Sequence, residues 1–246
     1  RLRRSERLAS IGRLAAGIAH EIRNPLSSIK GFAGILANRA KADDRSRQIA
    51  QVMEGEVERL DRVVSELLDY ARPTELHKRS SSCEELIERS VQLIAKDAQQ
   101  RGVAVTFRVK PPELSLEVDP DRFTQVLLNL YLNALQAMDE GGSLVVEALA
   151  DGDHVMLTVS DSGAGISPEH LPHVFDPYFT TKPQGVGLGL ANVYKYVEAH
   201  GGEIKIDSEA GRGTEIIMRI PKGHREGNVL APPENQPLRA ERVLPT

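Results

Sequence analysis

The sequence predicts an α+β chain in which a helical hairpin, paired into a dimeric four-helix bundle, precedes an α/β sandwich domain. Three observations lead there: two long apolar stripes at helical spacing, a polar break without periodicity, and a following stretch in which helical and alternating patterns mix. The first stripe runs through Leu8, Ile11, Leu14, Ala15, Ile18, Ile22, Leu26, Ile29, Phe32, Ala33 and Leu36. Steps of three and four sustained over about four heptads predict one long amphipathic helix. After a charge-mixed turn at residues 41–47, a second stripe follows at Ile49, Val52, Met53, Val57, Leu60, Val64, Leu67 and Ala71, and Pro73 ends it. One hairpin cannot bury two such stripes, whereas two hairpins close a four-helix core, so the pattern predicts a homodimer.

Residues 73–82 are polar, open with a proline and lack periodicity, which marks a linker. Helical patterning over 84–100 then gives way to an alternating strand over 103–109. A helix over 121–138 starts behind Asp119 and Pro120, an N-cap type and a first-turn type. Strands are expected over 143–149 and 154–160, joined at Asp151, Gly152 and Asp153, and a second hairpin pairs 203–207 with 214–220 across Gly211 and Gly213. Between the hairpins a helix is expected over 186–199, ended by Gly201 and Gly202. The helices should cover one face of the sheet. The organisation is therefore a helical region over 1–72, a linker over 73–82, a second domain over 83–222, and a flexible tail over 223–246, which holds four prolines and few apolar residues.

Composition narrows the function. Hydrophobic residues at 40% and charged residues at 27% describe an ordinary globular chain. No run approaches the ~18 to 20 consecutive apolar residues of a membrane helix. A single cysteine, Cys83, excludes an intrachain disulfide and an all-cysteine metal site, and is read as a helix residue rather than a nucleophile. With 31 basic against 35 acidic residues, nothing in the bulk charge calls for direct contact with nucleic acid.

His20 stands in the string AHEIRNP. Seam residues Ile18 and Ile22 flank it, and two residues turn a helix by ~200°, so the imidazole is expected to point away from the bundle core. Pro25 cannot donate to the Glu21 carbonyl, and a proline inside a helix costs about 3 kcal/mol, which predicts a bend just below the histidine. A lone histidine here would be a solvated surface residue; Glu21, Asn24 and Pro25 make it a candidate for chemistry.

Glycines gather in three strings. In DSGAGI, Asp161 ends a strand beside Gly163 and Gly165, and a carboxylate there can accept from an exocyclic amine such as that of adenine. In GVGLGL, Gly185, Gly187 and Gly189 open a helix whose free amides suit phosphate. In GRGT, Gly211, Gly213 and Thr214 enter the last strand. Each alone is an ordinary turn; together they point to a nucleotide. Asn129 and Asn133, four apart in VLLNLYLNALQA, are poor helix formers. They are either a buried pair bonded to backbone or, the better fit, amide oxygens for a hydrated divalent ion that a nucleotide triphosphate carries.

In this order the strings resemble the transmitter region of a bacterial two-component sensor histidine kinase. They match the histidine box at HEIRNP, the asparagine box at NLYLNA, the aspartate-glycine box at DSGAGI, the phenylalanine box around PYFTTK and the glycine box at GVGLGL. The resemblance covers nearly all of the chain from Leu8 to Pro221. RNPLSSIKG, PYFTTK and the short stretch from Gly165 to Gly185 are most similar to the nitrogen-regulatory and zinc-responsive branch.

The resemblance implies a dimerisation and phosphoacceptor domain over 1–72 and a catalytic ATP-binding domain over 83–222. It implies that His20 accepts the γ-phosphoryl group of ATP, that Glu21 orients or deprotonates the imidazole, and that Asn24 acts with them and places a water when phosphate is removed from the partner. Asn129 and Asn133 would hold Mg2+ and phosphates, Asp161 would read adenine beside Gly163, Gly165 and Thr214, and Gly185, Gly187, Leu188 and Gly189 would shape a lid. Lys182 is a further γ-phosphate contact by charge. The partner implied is the receiver domain of a response regulator, one attached to an ATP-driven transcription activator. The chain begins at Arg1, already in helical periodicity and without a signal-peptide pattern, so a cytoplasmic location is expected, with membrane contact only through an upstream sensor segment. Two other functions fit parts of the pattern: an ATP hydrolase of the wider fold family, whose members carry a glutamate where Asn129 stands, and an inactive dimeric scaffold.

Overall fold

The computed structural model describes residues 75–138, 141–182, 185–222 and 242–243, and a set of helical positions between 26 and 64. His20, Glu21, Asn24 and Pro25 lie outside the described residues, as does most of the stretch from 223 onward. The chain divides into two compact units, one of residues 1–73 with 180–189, the other of 74–179 with 190–246.

In the first unit the described positions over 26–35 and 45–64 are helical. Leu26, Ala50, Val57 and Val64 are buried, while Ile29, Phe32, Ile35, Ile49 and Val52 are exposed, Phe32 at 65% and Val52 at 71%. The apolar stripe thus outruns what one hairpin covers. Among the described residues no helix is long and apolar enough to cross a membrane.

The second unit begins with β1 (Arg79–Ser82), antiparallel to β3 (Ser115–Val118) in a two-stranded sheet. This corrects the reading of 73–82 as linker throughout: its last four residues form a strand, although a short polar run carries no alternation to announce it. Helix α1 (Cys83–Gln100) follows, with Ser82 as N-cap and Glu84 and Glu85 in the first turn, where acidic groups oppose the helix dipole. Its buried residues Cys83, Leu86, Ile87, Ser90, Val91, Ile94 and Ala98 recur at three and four. Burial pushes the Cys83 thiol up to about 12, against a backbone hydrogen bond, so it is no nucleophile at neutral pH. Helix α2 (Pro120–Ala137) starts as its sequence requires: Asp119 accepts from the Asp121 and Arg122 amides, and proline takes the first position.

The main sheet has six strands in the order β6-β7-β5-β4-β2-β8. These are β2 (Val103–Lys110), β4 (Gly142–Asp151), β5 (His154–Asp161), β6 (Glu203–Glu209), β7 (Gly213–Pro221) and β8 (Arg242–Val243). Both expected hairpins form, β4 with β5 and β6 with β7. Alternate residues of β2, β4, β5 and β7 are buried with the helices in one core, including Phe107, Leu144, Val146, Leu157 and Met218. The sheet is mixed, because β2 runs parallel to β4 with α2 between them in sequence. Strand β8, within the stretch 223–246, pairs antiparallel with β2 at Thr106 and Phe107.

Helix α3 spans Gly189–Ala199, not 186–199 as the sequence suggested. The reason is local: Gly187 has φ +74, a left-handed conformation that a right-handed helix cannot pass through.

One core group is costly. Tyr131 is fully buried on α2, and among the described residues its hydroxyl has no hydrogen-bond partner. A buried hydroxyl without a partner costs about 1–3 kcal/mol. Tyr131→Phe is therefore expected to stabilise the domain by about 1 kcal/mol, raising Tm by roughly 2–4 °C in a thermal melt.

Candidate functional site

Asp161 is the last residue of β5, paired on one side with Leu144 and on the other with Thr214. The strand places its half-buried side chain at the sheet end, where the chain turns back over the DSGAGI loop. Its Oδ1 accepts from the Gly163 amide at 2.8 Å. Burial pushes the Asp161 carboxyl above the ordinary carboxylate range, and the backbone N–H groups of Gly163 and Thr214 oppose that shift.

The loop is fixed by backbone contacts on two sides. On one, the Ala164 amide donates to the Ala137 carbonyl at 2.9 Å. A Cβ on Gly163 would stand 2.7 Å from that same oxygen, so only glycine lets the loop lie this close to the end of α2. On the other side, the Gly211 amide donates to the Ala164 carbonyl at 2.7 Å, and the Ile166 amide donates to Ser208 Oγ at 2.9 Å. Ser208 Oγ donates to the Gly213 carbonyl at 2.8 Å and lies 2.9 Å from Thr214 Oγ1, which leaves Thr214 as the donor of that pair. The Gly211–Gly213 turn therefore braces the aspartate loop.

Asn129 and Asn133 are half-buried on α2. Four residues apart, they sit about 40° apart around the axis and 6 Å along it. Asn133 is one turn before Ala137, the residue bonded to the aspartate loop. The structure thus brings Asp161, Gly163, Gly165 and Thr214 together at the end of the helix that carries both asparagines. Neutral amide oxygens suit a hard cation that keeps several waters and is shared with phosphates. Among the described residues no group of three or more His, Cys, Asp and Glu side chains could hold a metal ion by itself. The donor set fits a cation that arrives with its nucleotide.

Ser208 was missed in the sequence, yet a signal exists. Along β6 the half-buried positions are Ile204, Ile206 and Ser208, and a polar residue on the inward parity calls for a partner. The phenylalanine string is also ordered. Phe179 packs on the rings of His170 and His173, with centroids 5.6 and 5.8 Å away, behind Tyr178 at φ +68.

The segment 180–189 groups with residues 1–73. Within it the Lys182 amide donates to Thr180 Oγ1 at 3.1 Å and the Gly185 amide to the Lys182 carbonyl at 3.1 Å. The Lys182 side chain is exposed, Leu188 is buried, and Gly189 opens α3.

Two protein families match the chain. The family described as histidine kinase-, DNA gyrase B- and HSP90-like ATPase matches residues 118–224, and the His Kinase A (phospho-acceptor) domain matches 10–76. Sensor histidine kinase ZraS of Escherichia coli (strain K12) is 48% identical over 220 residues, covering 89% of this chain and 47% of that protein. Sporulation kinase E of Bacillus subtilis (strain 168) is 33% identical, over 90% of this chain and 30% of its own length. The chain spans about half the length, or less, of these curated relatives. Among solved structures, full-length ShkA in complex with AMPPNP aligns with a TM-score of 0.74 at 28% identity, covering 86% of this chain and 46% of that one. The catalytic domain of histidine kinase ThkA aligns at 0.56 and 32% identity, covering 61% of this chain and 97% of that one. ThkA in complex with response regulator protein TrrA aligns at 0.66 and 31%, over 88% of this chain and 63% of that one. The branch expected from the sequence agrees with the ZraS relatives. A phosphoacceptor match followed by an ATPase match, on a helical unit and a mixed-sheet unit, makes this chain the transmitter region of a member of the sensor histidine kinase family.

Proposed function

We propose that this chain autophosphorylates His20 from Mg·ATP and passes the phosphoryl group to an aspartate of a response regulator receiver domain, from which it also removes phosphate. The observation that carries the reading is the bond from the Ala164 amide to the Ala137 carbonyl, which holds the Asp161 loop against the helix bearing Asn129 and Asn133. An acceptor for a base amine and two amide donors for a metal–phosphate group then lie within one rigid framework. The ATPase family match supports ATP as the nucleotide, and the phosphoacceptor match supports His20 as the nucleophile. The complex of ThkA with TrrA supports a receiver as partner. A second copy of the chain is the cover proposed for the exposed stripe at Phe32, Ile35, Ile49 and Val52.

When bound, Mg·ATP supplies the transferable γ-phosphoryl group and a cation that neutralises its charge. Phosphoryl transfer passes through a loose in-line transition state, so the protein's contribution is alignment and charge. In this reading Asp161 accepts the amine of the base, and Asn129 and Asn133 hold the phosphate end. Imidazole has an ordinary pKa near 6.5, so a histidine at neutral pH can offer a free ring nitrogen as nucleophile. The role proposed for Glu21 is to orient or deprotonate the imidazole and to offset the positive charge that develops as the bond to phosphorus forms. Lys182, Gly185, Gly187, Leu188 and Gly189 are proposed to close over the phosphates.

Incubating the chain with labelled Mg·ATP tests the kinase reading directly: acid-labile label on the protein supports it, and release of inorganic phosphate with no label on protein points to a hydrolase. The histidine box is proposed to serve two activities, and Asn24→Ala separates them. The change removes an amide able to position a water but leaves His20 and Glu21, so dephosphorylation of a receiver should fall further than autophosphorylation. Equal loss of both would assign Asn24 to maintaining the bend that the sequence predicts at Pro25.

A further inference from the structure

Outside the boxes, the second domain contains a buried histidine with both ring nitrogens engaged. His200 follows α3 and is 1% exposed. Its Nδ1 lies 2.6 Å from the Tyr196 carbonyl, and its Nε2 lies 3.0 Å from the Asp119 amide nitrogen. A carbonyl can only accept and an amide can only donate, so the ring is neutral with its proton on Nδ1. Asp119 is equally committed. Its Oδ1 caps α2 through the amides of Asp121 and Arg122, both at 3.1 Å, and its Oδ2 accepts from the His77 amide at 3.0 Å. Phe123, in the first turn of α2, meets the His200 ring edge-on with centroids 6.0 Å apart. Arg122 reaches α3, where its guanidinium lies 5.5 Å from the Tyr196 ring centroid.

Capping α2 needs only Oδ1. The second carboxylate oxygen and the backbone amide are spent on two other segments, which come from 42 residues before and 81 residues after Asp119. Three segments therefore end on one pair of residues: the stretch that leads into the domain, the helix carrying Asn129 and Asn133, and the helix that opens at Gly189. We infer that Asp119 and His200 are positioning residues for the nucleotide site, holding the incoming linker, the N-terminus of α2 and the C-terminus of α3 in one register. A helix is stiff along its axis, so a shift at Asp119 reaches Asn129, about 15 Å away, with little loss. A displacement of the linker is thereby handed to both box-bearing helices. The inference rests on reading Asn129, Asn133 and Asp161 as the nucleotide site.

Titrating the full chain with a fluorescent ATP analogue in the presence of Mg2+ tests it. His200→Phe keeps a ring of similar size and loses both polar contacts; His200→Gln keeps one donor and one acceptor. The expected result is about a tenfold loss of affinity for the phenylalanine variant, equivalent to ~1.4 kcal/mol, with most of it recovered by glutamine. In autophosphorylation the loss should appear in KM for ATP, with kcat little changed. A folded His200→Phe chain that binds like the wild type overturns the inference.

Should the phenylalanine variant not fold, protonation breaks the same contact in the wild type. The groups that act on the ring are Asp119 at the α2 cap, Lys78 from the linker and the Tyr196 carbonyl of α3, with the uncharged Phe123 ring of α2 edge-on to it. Burial pulls the His200 imidazole below its ordinary range and Lys78 acts the same way, against the Tyr196 carbonyl and Asp119. For a base with a depressed folded pKa, the contribution is complete above the ordinary value of about 6.5 and is lost as pH falls through the folded value beneath it. In the folded chain the ring takes up its proton only as pH falls through that depressed value, so wild-type affinity should drop on acidification below about 6.5 by more than that of His200→Gln, which shares every other titrating group. Parallel profiles overturn the inference. Failure of the wild type to bind the analogue, or full binding by Asp161→Asn, instead overturns the site reading and this inference with it.

Discussion

Replacing His20 with glutamine is expected to abolish incorporation of phosphate from labelled ATP while leaving nucleotide affinity nearly unchanged. Glutamine keeps polarity and rough length but has no nucleophilic ring nitrogen, so the proposed phosphorus–nitrogen bond cannot form. Affinity should survive because the proposed nucleotide contacts, Asn129, Asn133 and Asp161, belong to the mixed-sheet unit, whereas residue 20 belongs to the helical one. The measurement pairs covalent label, counted before and after acid, with a nucleotide titration. Label that resists acid would move the acceptor to a hydroxyl. Label retained in the variant would move it to another residue.

Asp161→Asn should act on the other half of the reaction. A hydrogen bond to a charged group is worth about 1.5–3 kcal/mol, so losing it should weaken nucleotide binding by roughly 10- to 150-fold. The change also turns an acceptor that faces the Gly163 and Thr214 amides into a group with one acceptor and one donor, which adds strain at the loop. The pH dependence supplies an independent check. Burial raises the Asp161 carboxyl above its ordinary 3.8. The ionised form that accepts from an amine is therefore lost earlier on acidification than it would be for an exposed aspartate, and wild-type affinity should fall as pH drops through that raised value. The asparagine variant should lose this component of the fall and keep only the one that His200 contributes. Unchanged affinity in the variant would remove Asp161 from the base site.

Much of the second unit was legible because its signals are local. Asp119 followed by Pro120 marks a helix start whether or not anything packs on it, and α2 begins there. Strict alternation in 154–160 requires one wet and one dry face, and β5 has them. The turns at Gly152 and at Gly211 have positive φ, as hairpin connections between such strands need. The boxes stood out for another reason: Asn129 and Asn133 are poor helix formers, and Asp161 ends a strand beside glycines, which is what marked them as candidates.

Other features were decided only by contacts between distant segments. The parallel pairing of β2 with β4 and the β1–β3 pair leave no trace in either partner's own sequence, since edge hydrogen bonds are made by backbone common to all residues. The glycine at 163 stood out in the sequence, but that the backbone approaching it is the Ala137 carbonyl at the end of α2 was decided by the fold. His200 gave no signal beside its helix-ending glycines. Its neutral, doubly bonded state exists because folding brings it to the Asp119 amide, 81 residues away in the chain. Periodicity, caps and turn residues by themselves determined which elements this protein forms. Which backbone meets which, and so how tightly the asparagine helix, the aspartate loop and the linker are tied, was decided by the tertiary structure, because those bonds join groups that no local pattern relates.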